Sequence, residues 1–158
     1  MKDVKLRRYQ NLLTVSGLGV IVLALWSVLK TILFIFVKKD DLEKEFADIS
    51  ENSAMMAMVI AILAAVILID LLIRLYVGLS ARAEGFGKKK GYGYIVFAVL
   101  LGLLSVLSLV LIFFDTGDTS IEELIVSVIV EATSLVVVIE LLVAAFTVKK
   151  LRKELGEV

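Results

Sequence analysis

Charged residues divide the chain into four long apolar runs. Leu12 to Leu29 is 18 residues without a charge, and after Lys30 the apolar character resumes through Val37. Ser53 to Ile69 adds 17 uncharged residues, extended across Asp70 and Arg74 by Leu71 to Val77. Gly91 to Phe114 is 24 residues with no charge at all, and Leu124 to Val148 is interrupted only by Glu131 and Glu140. A hydrocarbon core needs about 20 apolar residues in helical form to be crossed. The pattern therefore predicts four transmembrane helices at about 12–37, 54–77, 92–114 and 124–148, in one membrane domain covering residues 1–158.

The fourth run is the one whose insertion needs arithmetic. Its 16 Leu, Ile, Val and Phe residues contribute about −5 to −10 kcal/mol, against about +5 to +7 for two central acids. The sum is favourable or near zero, so Glu131 and Glu140 are expected to face protein or water rather than lipid. Before the first run stand Lys2, Lys5, Arg7 and Arg8, as in a secretory signal. The run exceeds the ~7 to 15 apolar residues of a signal core, and no small-x-small cleavage site follows, so an uncleaved anchor is expected.

Composition agrees with this medium. The chain is 60% hydrophobic in 158 residues with a mean hydropathy of +1.00, too apolar for a single water-soluble core. Seventeen bases balance seventeen acids, so net charge implies no nucleic-acid partner. The absence of Cys and His removes disulfides, thiolate nucleophiles, imidazole bases and the usual zinc, haem and iron–sulfur ligands. No proline is present to kink a span. No cofactor and no enzymatic activity are expected.

Twelve bases, at Lys2–Arg8, Arg82–Lys90 and Lys149–Lys153, fall on one side of the predicted spans, and three, Lys38, Lys39 and Lys44, on the other. The positive-inside bias then predicts an antiparallel up-down-up-down four-helix bundle in the cell membrane with both termini cytoplasmic. Tyr9, Tyr76, Tyr92 and Tyr94 all fall at the same ends of the spans, where amphipathic rings favour the headgroup region. The outer loop carries Leu42, Phe46 and Ile49 beneath acids at helical spacing, which predicts a short surface helix. Asn52 or Ser53 is expected to cap the second span, and Ser120-Ile-Glu-Glu123 reads as a capping box.

Five ionisable residues lie within the spans: Lys30, Asp70, Arg74, Glu131 and Glu140. By depth, Asp70, Arg74 and Glu140 form an inner set, with Asp70 and Arg74 at i, i+4, and Lys30 with Glu131 an outer one. Two bases against three acids fit structural interhelical pairs. They also fit proton- or ion-coupled transport, with Glu140 as the leftover acid that titrates and Asp70 as a second acceptor. Glu131 and Glu140 are nine residues apart and project to opposite sides of their helix, which disfavours a single pore lined by both.

Ala57, Ala61, Ala64 and Ala65 form a small-residue stripe on the second span, and Ala98, Gly102, Ser105 and Ser108 a similar line on the third. Both suggest close helix packing, and on the second span, where Asp70 lies roughly opposite the stripe, two covered sides suggest a homo-oligomer. Gly85 to Gly93 lacks the spacing of a phosphate loop. Its bases Lys88, Lys89 and Lys90, with Arg82 just before it, are candidates for lipid headgroups, competing with a plain role as topology signals. Met55, Met56 and Met58 read as apolar filling rather than a metal site. The expected function is a non-enzymatic accessory subunit that packs against itself or another membrane protein, with transport through Glu140 and Asp70 as the alternative.

Overall fold

The computed structural model describes residues 2–37, 53–114 and 121–156. They form four helices: α1 (Lys2–Val37), α2 (Ser53–Gly85), α3 (Gly93–Phe114) and α4 (Ile121–Glu154), with no strand among the described residues. All four are long and apolar enough to cross a membrane. The expected surface helix at Leu42–Ile49 and the residues Asn52 and Ser120 lie outside the described residues, as do the side chains of Ser53, Met55, Met56, Ala57 and Glu123.

Three helices run well past their apolar cores at the basic end. α1 begins at Lys2, α2 continues to Gly85 and α4 to Glu154. A charge ends an apolar run without ending a helix, because Lys, Arg and Glu are good helix formers. What stops α2 is backbone chemistry at Gly87, whose φ is +91°. The Gly87 N–H donates to the Glu84 carbonyl at 3.0 Å and the Lys88 N–H to the Ala83 carbonyl at 3.0 Å, the paired bonds of a Schellman cap. Gly156, with φ +74°, ends α4 with the same left-handed conformation.

The chain divides into two compact units, Met1–Ile21 with Arg74–Val158, and Val22–Ile73. In the first, each helix buries residues spaced alternately three and four apart. They are Leu13, Gly17 and Val20 on α1; Val77, Ala81 and Glu84 on α2; Tyr94, Ala98, Leu101 and Ser105 on α3; and Ser134, Val138, Leu141, Ala145, Val148 and Arg152 on α4. An average step of 3.5 keeps one stripe of a helix against its neighbours. Many of these residues are small, and they let backbones approach. A Cβ on Gly17 would stand 2.8 Å from the Gly78 carbonyl oxygen, one on Gly78 2.7 Å from that of Gly17, and one on Gly85 2.7 Å from that of Gln10. α3 and α4 meet at Gly102 and Val138, and Tyr76 of α2 packs edge-on against Phe97 of α3 with ring centroids 5.7 Å apart.

The bulky side chains are largely on the outside. On α3, Val96 and Leu103 are 66% and 63% exposed while Ala98 and Ser105 are buried. Large side chains such as Tyr94 and Leu101 are buried too, but so many large apolar side chains facing outward is the reverse of what water selects, and it is the arrangement lipid tolerates. In the second unit Ala24 is buried, whereas Ala61, Ala64 and Ala65 are exposed. That part of the α2 stripe, expected as a packing face, is uncovered in the single chain.

Candidate functional site

The best-enclosed polar cluster lies beyond the apolar runs, where α2, the turn after it and the end of α4 come together. Glu84 occupies the last turn of α2, a poor position for a lone carboxylate because the carbonyl end of a helix carries partial negative charge. It is compensated. Although only 1% exposed, its Oε1 is 3.2 Å from Lys149 Nζ and 3.8 Å from Arg152 Nη1. Lys149 and Arg152 stand three apart on α4 and so share a face.

The same two bases fasten the turn that the Gly87 cap creates. Lys149 Nζ donates to the Lys90 carbonyl at 2.6 Å, Arg152 Nη1 to the Lys88 carbonyl at 3.4 Å, and Arg152 Nη2 to the Glu84 carbonyl at 3.1 Å. The Lys149 ammonium also lies 4.5 Å from the centre of the Tyr92 ring and 5.8 Å from that of Tyr94, within cation–π range. The buried Tyr94 hydroxyl sits beside Glu84, but neither it nor Glu84 Oε2 makes an aligned hydrogen bond. Opposite charges here neutralise one another in a water-poor setting, where removing one member leaves the others uncompensated.

Above the cluster is a cleft of about 220 Å³, lined by Lys89, Lys90, Tyr92 and Lys153 over Glu84, Lys149 and Arg152. Lys89, Lys90, Tyr92 and Lys153 are exposed. Among the described residues no side-chain hydrogen bond or ion pair engages Lys89, Lys90 or Lys153, and no group of three or more acids could hold a metal ion.

The residues singled out from the pattern fall elsewhere. Arg74 is half-buried and donates from Nη1 to Ser134 Oγ at 3.4 Å, a residue on the buried stripe of α4. Lys30 is exposed and Asp70 half-buried, and both, like Arg74, are engaged by neighbouring groups. Glu131 is half-buried and Glu140 exposed. Among the described residues neither carboxylate makes a hydrogen bond or ion pair, so Glu140 does not join Arg74 in an inner cluster. The burial expected for Glu140 is not found, because it falls off the three-four stripe of α4 and onto the line of Val136, Ile139, Val143 and Phe146, all exposed.

Of the four proposed headgroup bases, Lys89 and Lys90 line the cleft, Lys88 contributes its carbonyl to Arg152, and Arg82 lies half-buried with its guanidinium 5.8 Å from the centre of the Phe86 ring. Sequence reasoning missed Glu84, Lys149 and Arg152 as a unit. The available signal was an acid in the final turn of a helix, placed on the buried spacing of Val77 and Ala81. Comparison with protein-family models, with curated proteins and with solved structures finds no match to this chain.

Proposed function

We propose that the chain is a non-enzymatic subunit of the cell membrane that acts by packing against a second copy of itself. The carrying observation is the exposed face of α4. Glu140 is flanked one heptad away on each side by Thr133 and Thr147, in a line that also holds exposed Val136 and Val143. Thr133 and Thr147 satisfy their hydroxyls by donating to the carbonyls four residues back, each at 2.7 Å, and keep oxygens able to accept. Glu140 lies nine residues before Lys149, about 13 Å deeper along the axis, too far for a glutamate to reach the headgroups.

Facing lipid there, a charge costs about 2.5 to 3.5 kcal/mol. A second copy of the seam offers hydrogen bonds instead, and polar groups between membrane helices contribute about 0.6 to 2 kcal/mol. The exposed alanines of α2 give close approach a second surface. The reading keeps the antiparallel up-down-up-down arrangement with both termini cytoplasmic. Its supports are the contacts of Lys149 with Lys90 and of Val138 with Gly102, together with the twelve bases gathered at one set of helix ends.

The chain contains no cysteine, so single-cysteine variants report cleanly. Val143→Cys in native membranes is expected to form a disulfide-linked dimer on oxidation, whereas Val96→Cys on the outer face of α3 is not. Glu140→Leu is expected to reduce cross-linking about 3- to 30-fold. Equal cross-linking from both positions, or none from Val143→Cys, overturns the proposal.

A further inference from the structure

The geometry points to a second, separate site: the cleft over Glu84 binds the phosphate of an anionic phospholipid headgroup. Five bases, Lys89, Lys90, Lys149, Arg152 and Lys153, meet one carboxylate in the cleft, a surplus of 5 − 1 = 4 positive charges. Their roles differ. Arg152 and Lys149 are committed to Glu84 and to the turn carbonyls, which holds the floor of the cleft and the turn rigid. An ammonium has three donors, and Lys149 uses one on Glu84 Oε1 and one on the Lys90 carbonyl. With 14% of its side chain still exposed, the third can reach an anion in the cleft.

Lys89, Lys90 and Lys153 form the rim, and their surplus is not answered by any acid among the cleft residues other than the sealed Glu84. Tyr92 is held in place by the Lys149 ammonium at 4.5 Å and presents an amphipathic ring of the kind that settles at headgroup depth. Size is compatible with the ligand class. At about 220 Å³ the open cleft is below the ~300 to 1,000 Å³ of drug-sized pockets and admits a group the size of a phosphate. The position selects the source. The cleft opens where apolar spans give way to polar helix ends, and a lipid surface presents phosphates there continuously, each nearby Lys strengthening the attraction.

The assignment is tested on the full chain in nanodiscs of phosphatidylcholine with a minor share of phosphatidylglycerol, counting retained lipids by native mass spectrometry. Intact protein is expected to retain phosphatidylglycerol in preference to phosphatidylcholine. Lys89→Gln/Lys90→Gln/Lys153→Gln should lose about tenfold or more of that preference. The triple Lys5→Gln/Arg7→Gln/Arg8→Gln removes equal charge from exposed positions of α1 and should lose less than twofold. Equal loss in both triples means diffuse attraction and overturns the site. So does thermal stabilisation by inorganic phosphate in pure phosphatidylcholine discs matching that from phosphatidylglycerol, which identifies a soluble anion as the ligand. All six positions are exposed, so unchanged helicity and melting of the variants separate loss of binding from loss of fold.

Discussion

Glu84 is sealed between two bases at the end of α2, while Glu140, on an apolar stretch of α4, is exposed and makes no polar contact among the described residues. The two carboxylates have opposite consequences when neutralised. Glu84→Gln strands Arg152, itself only 7% exposed. Breaking a buried pair costs about 3 to 5 kcal/mol, and partial relaxation of Lys149 to water brings the expected loss to about 2 to 3 kcal/mol. Unfolding of the detergent-solubilised protein by added SDS measures it. Glu84→Gln combined with Arg152→Met should recover part of the loss, since no stranded charge remains. A variant as stable as the parent shows that the carboxylate is not held as described. The Glu140 side chain instead affects association, as the cross-linking comparison tests. The sequence reading singled out Glu140 and passed over Glu84 because it searched inside the apolar runs. A charge outside them is ordinarily solvated, and only contact with α4 makes this one buried.

The close contact of α1 with α2 depends on Gly17, Gly78 and Gly85, each facing backbone oxygen across the interface. Gly78→Ala and Gly85→Ala are expected to cost about 1 to 3 kcal/mol each by forcing the helices apart, read as lowered melting temperature. Gly91→Ala is the control: a Cβ there meets nothing within 4 Å and φ is not positive, so its effect should stay within about 0.5 kcal/mol. A Gly91→Ala loss equal to that of Gly78→Ala contradicts the packing account. The four membrane-length helices among the described residues and their approximate cores were legible, because each predicted span exceeds a hydrocarbon thickness. Their ends were not. α1, α2 and α4 extend beyond the predicted spans through residues that are charged yet helix-forming, and the end of α2 is set by a glycine cap rather than by loss of hydropathy. Of the line Ala98, Gly102, Ser105 and Ser108 on α3, expected to pack, Ala98 and Ser105 are buried and Gly102 and Ser108 half-buried.

The proposed up-down-up-down arrangement, with both termini cytoplasmic, predicts that both chain ends and the turn at Gly91 face the same side. Single cysteines introduced at Asp3, Gly91 and Glu154 should all react with an impermeant maleimide in inverted vesicles and none in right-side-out cells. Labelling of Asp3→Cys and Glu154→Cys from opposite sides refutes the orientation. What the amino-acid order determined by itself is the four membrane-length helices among the described residues and their apolar character, because transfer free energies add along the chain and 60% hydrophobic residues leave little else for them to do. Which apolar residues face neighbours and which face outward was decided only in three dimensions. Lipid and a helix core are nearly equal solvents for Leu and Val, so hydropathy cannot separate the two sides of a helix as it does in water. The Glu84 cluster was decided the same way. Its members lie 65 and 68 positions apart along the chain, and their meeting depends on the packing of α2 beside α4.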